Sequence, residues 1–168
     1  RCQVIRFFGI NEQTIEKLLL ERGIESERAY RASRLAGGNI SNAIKFADDA
    51  DFSGRWQIAW EIVTRLAELD RIEIYLSAEK MELDPELISS MVETILRDIY
   101  IYQATGEKDL LVIPENHGIA QELKKLNEFK IKKAIKNIAD LRELYRSNVN
   151  VLTININICW ALWEALQD

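Results

Sequence analysis

Arg34-Leu35-Ala36-Gly37-Gly38-Asn39-Ile40-Ser41-Asn42-Ala43-Ile44-Lys45-Phe46 is the stretch on which the fold turns. Gly37 and Gly38 can close one helix, because a terminating residue often takes a left-handed conformation that only glycine adopts without strain. Asn39 can open the next, its side chain accepting the first free backbone N–H groups. Ile40, Ala43, Ile44 and Ala47 then fall on one buried face. A stop, a cap and a fresh apolar stripe within a dozen residues predict short helices joined by a tight corner.

Working outward, Asn11 is positioned to cap a helix to about Arg22, with Ile15, Leu18, Leu19 and Ile24 facing inward and Gly23 ending it. Ser26 starts a second helix carrying Ala29, Tyr30, Ser33 and Leu35 inward. Val4, Ile5, Phe7 and Phe8 form an apolar lead-in expected to pack against whatever precedes it. Three short helices make a bundle too small to be robust alone. The polar, acidic run Ala47-Asp48-Asp49-Ala50-Asp51-Phe52-Ser53-Gly54 marks the internal boundary, dividing a front domain at 1–50 from a larger rear domain at 51–168.

In the rear domain, apolar residues recur at three-to-four spacing from Trp56 through Leu66, Leu69, Ile72, Ile74, Tyr75 and Leu76, which predicts one long buried helix. Asp84-Pro85 restarts the chain, aspartate as cap and proline at the first helical position, and that helix runs to Gly106. The segment 107–118, with Leu110 to Ile113 ahead of Pro114, reads as a loop that docks an apolar plug. A short helix over 119–126 and a longer one over 128–146 follow, the latter alternating Phe129, Ile131, Ala134, Ile135, Ile138, Leu141, Leu144 and Tyr145 with lysines. Ile154-Asn155-Ile156-Asn157-Ile158 alternates as a strand would, yet Leu152, Ile156, Cys159, Trp160 and Trp163 form a helical stripe and no second strand is visible to pair with it. The helix is the better reading. The expected class is therefore all-α: a three-helix bundle, then about five helices.

Composition agrees with a helical globular chain. Of 168 residues, 48% are hydrophobic, enough for a core, and only 7 are glycine and 2 proline. The net charge of −5 argues against a general polyanion binder. No apolar run approaches the roughly 20 residues needed to span a bilayer, and no signal peptide opens the chain, so a cytoplasmic, membrane-free protein is expected. The chain begins Arg1-Cys2-Gln3-Val4, without a methionine, and is expected to be part of something longer. Cys2 and Cys159 are too distant for a Cys-x-x-Cys pair and His117 is the only histidine, so no metal site is predicted.

Gly38-Asn39-Ile40-Ser41-Asn42-Ala43-Ile44 resembles the last lid helix of clamp-loader AAA+ subunits, where the motif reads roughly Gly-Ser-x-Arg-x-Ala-Leu. Arg1-Cys2-Gln3 looks like the end of their Ser-Arg-Cys motif. Leu96-Arg97-Asp98 through Thr105-Gly106 is similar to a collar helix, and Asn148-Val149-Asn150 resembles the introduction of the final collar helix. In order and spacing these match the delta-prime subunits of the bacterial DNA polymerase III clamp loader. The resemblance implies an AAA+ lid followed by a helical collar that joins subunits in a ring, with a nucleotide-binding-type domain upstream. Implied partners are the gamma/tau and delta subunits through the collar, and the sliding clamp and primer-template DNA through the whole complex.

On that alignment Ser41 stands where ATP-hydrolysing subunits carry a sensor arginine, so no nucleotide or other cofactor is expected in this chain and it is no enzyme by itself. Arg1 would be an arginine finger acting in trans on a neighbour's ATP, neutralising charge on the transferred phosphoryl group; without the family, a terminal arginine is more often merely solvated. A gamma/tau-type motor ATPase is the competing reading, but no Gly-x-x-x-x-Gly-Lys loop lies in these residues. A helical DNA-binding module is the third. Lys124, Lys125, Lys130, Lys132, Lys133 and Lys136 could meet phosphates, though Glu122 and Glu128 interrupt them and such lysines commonly just solvate an outer face. Arg97-Asp98 reads as a structural ion pair or helix-surface pair, and the pairs Trp56/Trp60 and Trp160/Trp163 as core or interface.

Overall fold

The computed structural model describes residues 9–68, 71–123 and 125–167. All regular structure among them is helical, and the chain forms two compact units, Arg1–Phe52 and Ser53–Asp168.

The first unit holds α1 (Glu12–Glu21), α2 (Ser26–Leu35) and α3 (Ile40–Asp48), each in contact with the other two. Asn11 caps α1 by accepting from the Gln13 amide at 2.8 Å. Asn39 caps α3, its Oδ1 accepting from the amides of Ser41 at 2.9 Å and Asn42 at 3.2 Å. Between α2 and α3, Gly37 and Gly38 have φ of 56° and 81°. Gly38 is doubly required: its carbonyl accepts from the Ile10 amide at 2.8 Å, and a Cβ there would lie 2.8 Å from the Gly9 Cα. Ile15, Leu19, Ala29, Ala32, Leu35, Ala43, Phe46 and Ala47 are buried, each large aliphatic side chain contributing about 1.5–3 kcal/mol. Leu18, expected inward, is 39% exposed. The apolar lead-in Val4, Ile5, Phe7 and Phe8 lies outside the described residues.

The second unit comprises most of α4 (Phe52–Glu68), then α5 (Ile72–Met81), α6 (Pro85–Thr105), α7 (His117–Glu122), α8 (Glu128–Glu143) and α9 (Val151–Leu166), with single 3-10 turns at Lys108–Leu110, Pro114–Asn116 and Leu144–Arg146. The acidic run 47–54 read as the internal boundary contains the division between the units, and its helix-free part is only 49–51, since α3 reaches Asp48 and α4 starts at Phe52. The long helix expected over 56–76 is two helices; Leu69, within that stripe, lies outside the described residues. Ile72, Tyr75 and Leu76, expected in the core, are 67%, 55% and 45% exposed. The buried side of α5 is instead Glu73, Ile74, Ser77, Ala78 and Met81.

The core of this unit is α6, packed against α5, α7, α8 and α9. Asp84 caps it, accepting from the Leu87 amide at 3.3 Å, Pro85 occupies its first turn, and Gly106 ends it at φ 74°. The segment after it docks the expected plug, with Leu111 and Ile113 buried. The strand-like alternation near the C-terminus is helical: α9 starts at the Asn150 cap, which accepts from the Thr153 amide at 3.0 Å. Helical rotation sends Ile154, Asn155, Ile158, Cys159 and Leu162 inward. Asn155 can be buried because its amide donates to the Ala78 carbonyl at 3.1 Å and its oxygen accepts from the Tyr145 hydroxyl at 2.6 Å; buried polar groups are tolerated when so paired. Burial pushes the Tyr145 hydroxyl up to about 12.

Candidate functional site

Of the two residues carrying the site assignment, Arg1 lies outside the described residues. Ser41 sits in the first turn of α3, exposed, its backbone N–H committed to the Asn39 cap. Its hydroxymethyl group has neither the reach nor the charge of an arginine at that position.

The second unit presents two surfaces with chemistry. The first is the outer face of α5. Helical spacing of i, i+3 and i+4 lines up Ile72, Tyr75 and Leu76 there. The inner face is unusual in carrying Glu73, only 3% exposed. Arg65 of α4 accounts for it, its Nη1 lying 3.2 Å from Glu73 Oε1 while its Nε lies 2.9 Å from Glu61. Lys80 at the other end of α5 also meets Glu61, at 2.8 Å, and this bond first, then both neighbouring cations, holds the Glu61 carboxyl below its ordinary range. The ion-pair chain ties α5 to α4 through Glu73, while Ile74, Ala78 and Met81 fill the rest of the buried side and Ile72, Tyr75 and Leu76 are left exposed. Arg71, just before α5, stands 5.5 Å from the centroid of Trp160 and 5.2 Å from that of Trp163. Trp160, on α9, is 38% exposed.

The second surface is the outer side of α8. Phe129, expected to face inward, is 76% exposed, and Leu144 is 39% exposed. Of the lysines, Lys132 pairs with Glu128 and lies 5.4 Å above the Tyr100 ring. Lys132 first, by its hydrogen bond, lowers the Glu128 carboxyl below its ordinary value. Lys130 donates to the Gln167 carbonyl at 3.1 Å. Lys124 lies outside the described residues. Between α8 and α9 opens a recess of about 420 Å³.

Asp98 is neither a surface pair nor chiefly an ion pair. It is fully buried, its Oδ1 accepting from the Val112 amide at 2.9 Å and its Oδ2 from the Ile113 amide at 2.9 Å and the Asn116 side chain at 2.8 Å. Asn116 in turn accepts from Trp60 Nε1 at 2.8 Å. This chain ties α6, the plug segment and α4 together. Burial outweighs those donors and holds the Asp98 carboxyl above its ordinary value of 3.8. Asn116 had no signal in the sequence beyond its position before a helix.

Cys159 is buried with its Sγ 3.5 Å from Met81 Sδ, and His117 Nδ1 lies 2.9 Å from the Pro114 carbonyl. No cluster of three metal-ligating side chains exists among the described residues. No described helix is long and apolar enough to cross a membrane. Comparison with protein-family models, with curated proteins and with solved structures finds no match.

Proposed function

We propose that this chain is the lid-and-collar portion of a delta-prime-type clamp-loader subunit, a component that assembles a ring and does not hydrolyse ATP. The observation that carries the assembly role is the outer face of α5, where Ile72, Tyr75 and Leu76 stand exposed while Glu73 is held inward by Arg65. A helix that buries a carboxylate yet leaves three large apolar side chains exposed suits a protein that covers them with a partner, since exposed apolar patches commonly mark interaction sites. Tyr75 on this face, and Arg71 just before it, are of residue types that dominate binding energy at interfaces.

On this reading the partners are the gamma/tau and delta subunits, clamp and primer-template DNA are met only through the whole complex, and Arg1 acts on a neighbour's ATP. Ser41, in place of the sensor arginine, supports a subunit with no nucleotide of its own. The test is reconstitution: the chain is mixed with gamma/tau and delta subunits and the products are separated by gel filtration. Co-elution is expected with wild type and is lost with Ile72→Asp combined with Leu76→Asp. Wild-type protein that fails to co-elute, or a double variant that assembles normally, refutes the role. Nucleotide titration is expected to show no binding, and a micromolar dissociation constant, about −8 kcal/mol, would restore the motor reading.

A further inference from the structure

The recess between α8 and α9 adjoins Trp160 through Trp163, whose ring centroids are 6.0 Å apart, but it is built differently from the α5 face. Its floor is alanine from both helices, Ala134 and Ala161, 3% and 7% exposed; where two packed helices both carry so small a side chain, a gap is left between them. Two aromatic rings, Phe129 and Trp163, stand on its walls, and Lys130 and Lys133 on its rim. Phe129 is the most exposed large apolar side chain among those described. A phenylalanine held in solvent at the mouth of an apolar recess loses hydration cost only when something covers it.

The charge around it has a definite sign. Over Glu128–Glu143, α8 carries five cations, Lys130, Lys132, Lys133, Lys136 and Arg142, against three carboxylates, a net of +2 on a chain whose total is −5. Two of these cations are internally committed nearby: Lys132 to Glu128 and Lys130 to the Gln167 carbonyl. Lys133, on the rim, has no side-chain partner among the described residues. The one carboxylate in the lining, Glu164, accepts from Trp160 Nε1 at 3.0 Å.

We propose that this recess docks an acidic peptide segment of a partner protein, which inserts one bulky apolar side chain between Phe129 and Trp163 while its carboxylates meet Lys133 and the outer lysines of α8. The volume, about 420 Å³, lies at the lower end of the range of ligand sites, suited to one large side chain with its flanking backbone. The apolar floor sets the need for a hydrophobic anchor, and the surplus of cations sets the sign of what surrounds it, electrostatic complementarity supplying orientation and rate of encounter. A nucleic acid fits less well. Phosphate binding gains affinity by neutralising several charges in succession, and here Glu128 and Glu164 break the track while the protein's total charge opposes it.

The experiment is fluorescence anisotropy on the whole chain with a labelled short peptide of aspartates and glutamates around one phenylalanine. A matched peptide with serine for phenylalanine and a labelled oligothymidylate serve as comparisons. Phe129→Ala and Lys133→Glu alter exposed side chains, and their folding is checked by circular dichroism. The phenylalanine peptide should bind saturably, the serine peptide about tenfold or more weakly, and Phe129→Ala should weaken binding by about tenfold, the scale of losing an aromatic anchor. Lys133→Glu should weaken it and flatten its salt dependence. No saturable binding, equal affinity for the two peptides, or unchanged affinity in both variants overturns the proposal; tighter binding of oligothymidylate, lost in Lys133→Glu, assigns the face to nucleic acid instead.

Discussion

Replacing Asp98 by alanine tests the network that organises the second unit. The substitution removes the acceptor of three hydrogen bonds at 2.8–2.9 Å, from the amides of Val112 and Ile113 and the side chain of Asn116. A hydrogen bond to a charged group contributes about 1.5–3 kcal/mol net, and a buried donor left without a partner costs about 1–3 kcal/mol. Two effects reduce the sum. Val112 is half-buried, so water can replace that bond, and alanine no longer carries the desolvation that raises the Asp98 carboxyl. Ile113 and Asn116 are fully buried, and their donors have no such relief. The expected loss is therefore about 3 kcal/mol at neutral pH, a large share of the roughly 5–15 kcal/mol that keeps a typical domain folded. Urea unfolding followed by circular dichroism reads the loss directly. Amide exchange gives the local signature: Val112 and Ile113 should lose protection before the interior of α6. Trp60, which donates to Asn116, should shift in fluorescence. A loss below about 1 kcal/mol with undiminished protection at both amides refutes the account of Asp98 as the tether of the plug segment.

Three further outcomes follow from the same geometry. Because burial raises the Asp98 carboxyl, the folded chain keeps its proton over a range where the unfolded chain has released it, so the extra stability that this proton gives is complete below the ordinary value of 3.8 and is lost as pH rises through the folded value, leaving the hydrogen-bond contribution. The gap in unfolding free energy between wild type and Asp98→Ala should narrow from acid toward neutral pH; a gap that widens means the three donors outweigh burial. Gly38→Ala places a Cβ 2.8 Å from the Gly9 Cα at a φ of +81° and should cost about 2 kcal/mol, backbone strain of this kind being worth about 1–3 kcal/mol, whereas a melting temperature within a degree of wild type contradicts the close approach. Cys159, buried and pushed up to about 12, should in a Cys2→Ser background resist a thiol reagent until the protein unfolds, and rapid labelling under native conditions would show that α9 is not packed as described.

The helices announced themselves where a local residue does a local job. Asn11, Asn39, Asp84 and Asn150 each cap a helix with their own side chains, and Gly38 and Gly106 take the left-handed backbone that stops one. Those signals need no knowledge of the rest of the chain. What failed was the orientation of α5. Its outward residues Ile72, Tyr75 and Leu76 continue the apolar rhythm of α4, while its inward face includes Glu73 and Ser77. The position of Arg65 on α4 lets Glu73 turn inward beside Ile74, Ala78 and Met81, and that pairing becomes visible only when the two helices are placed against each other. Phe129 reads as apolar like the core residues of α8, but helical rotation sets it on a different face from Ile131, Ala134 and Ile138, the buried ones. Asp98 was noticed for the arginine beside it, while its actual partners stand 14 to 18 residues further on.

Those positions also separate two kinds of resemblance. Gly38-Asn39, Asp98, Thr105-Gly106 and Asn150 all contributed to the likeness with clamp-loader subunits, and in this structure each closes, opens or tethers a helix. Substituting any of them should lower stability, by about 1 kcal/mol for a cap such as Asn150→Ala, and should do so whatever the protein's function. Ser41 is different. Its side chain is exposed and its contribution to the α3 cap comes through the backbone N–H, so Ser41→Arg leaves the fold intact and changes only what the first turn of α3 presents to a ligand. The pair of substitutions therefore divides the two roles cleanly. Asn150→Ala should lower the unfolding midpoint and leave assembly with partner subunits unchanged below it. Ser41→Arg should leave the unfolding free energy within about 0.5 kcal/mol of wild type, as surface changes usually do, and, on the proposed clamp-loader reading, should alter the ATP dependence of the mixture reconstituted with gamma/tau and delta subunits. A Ser41→Arg variant that unfolds like wild type and leaves the response of the reconstituted mixture to ATP unchanged would show that this position does not govern nucleotide contact, against the proposed clamp-loader reading.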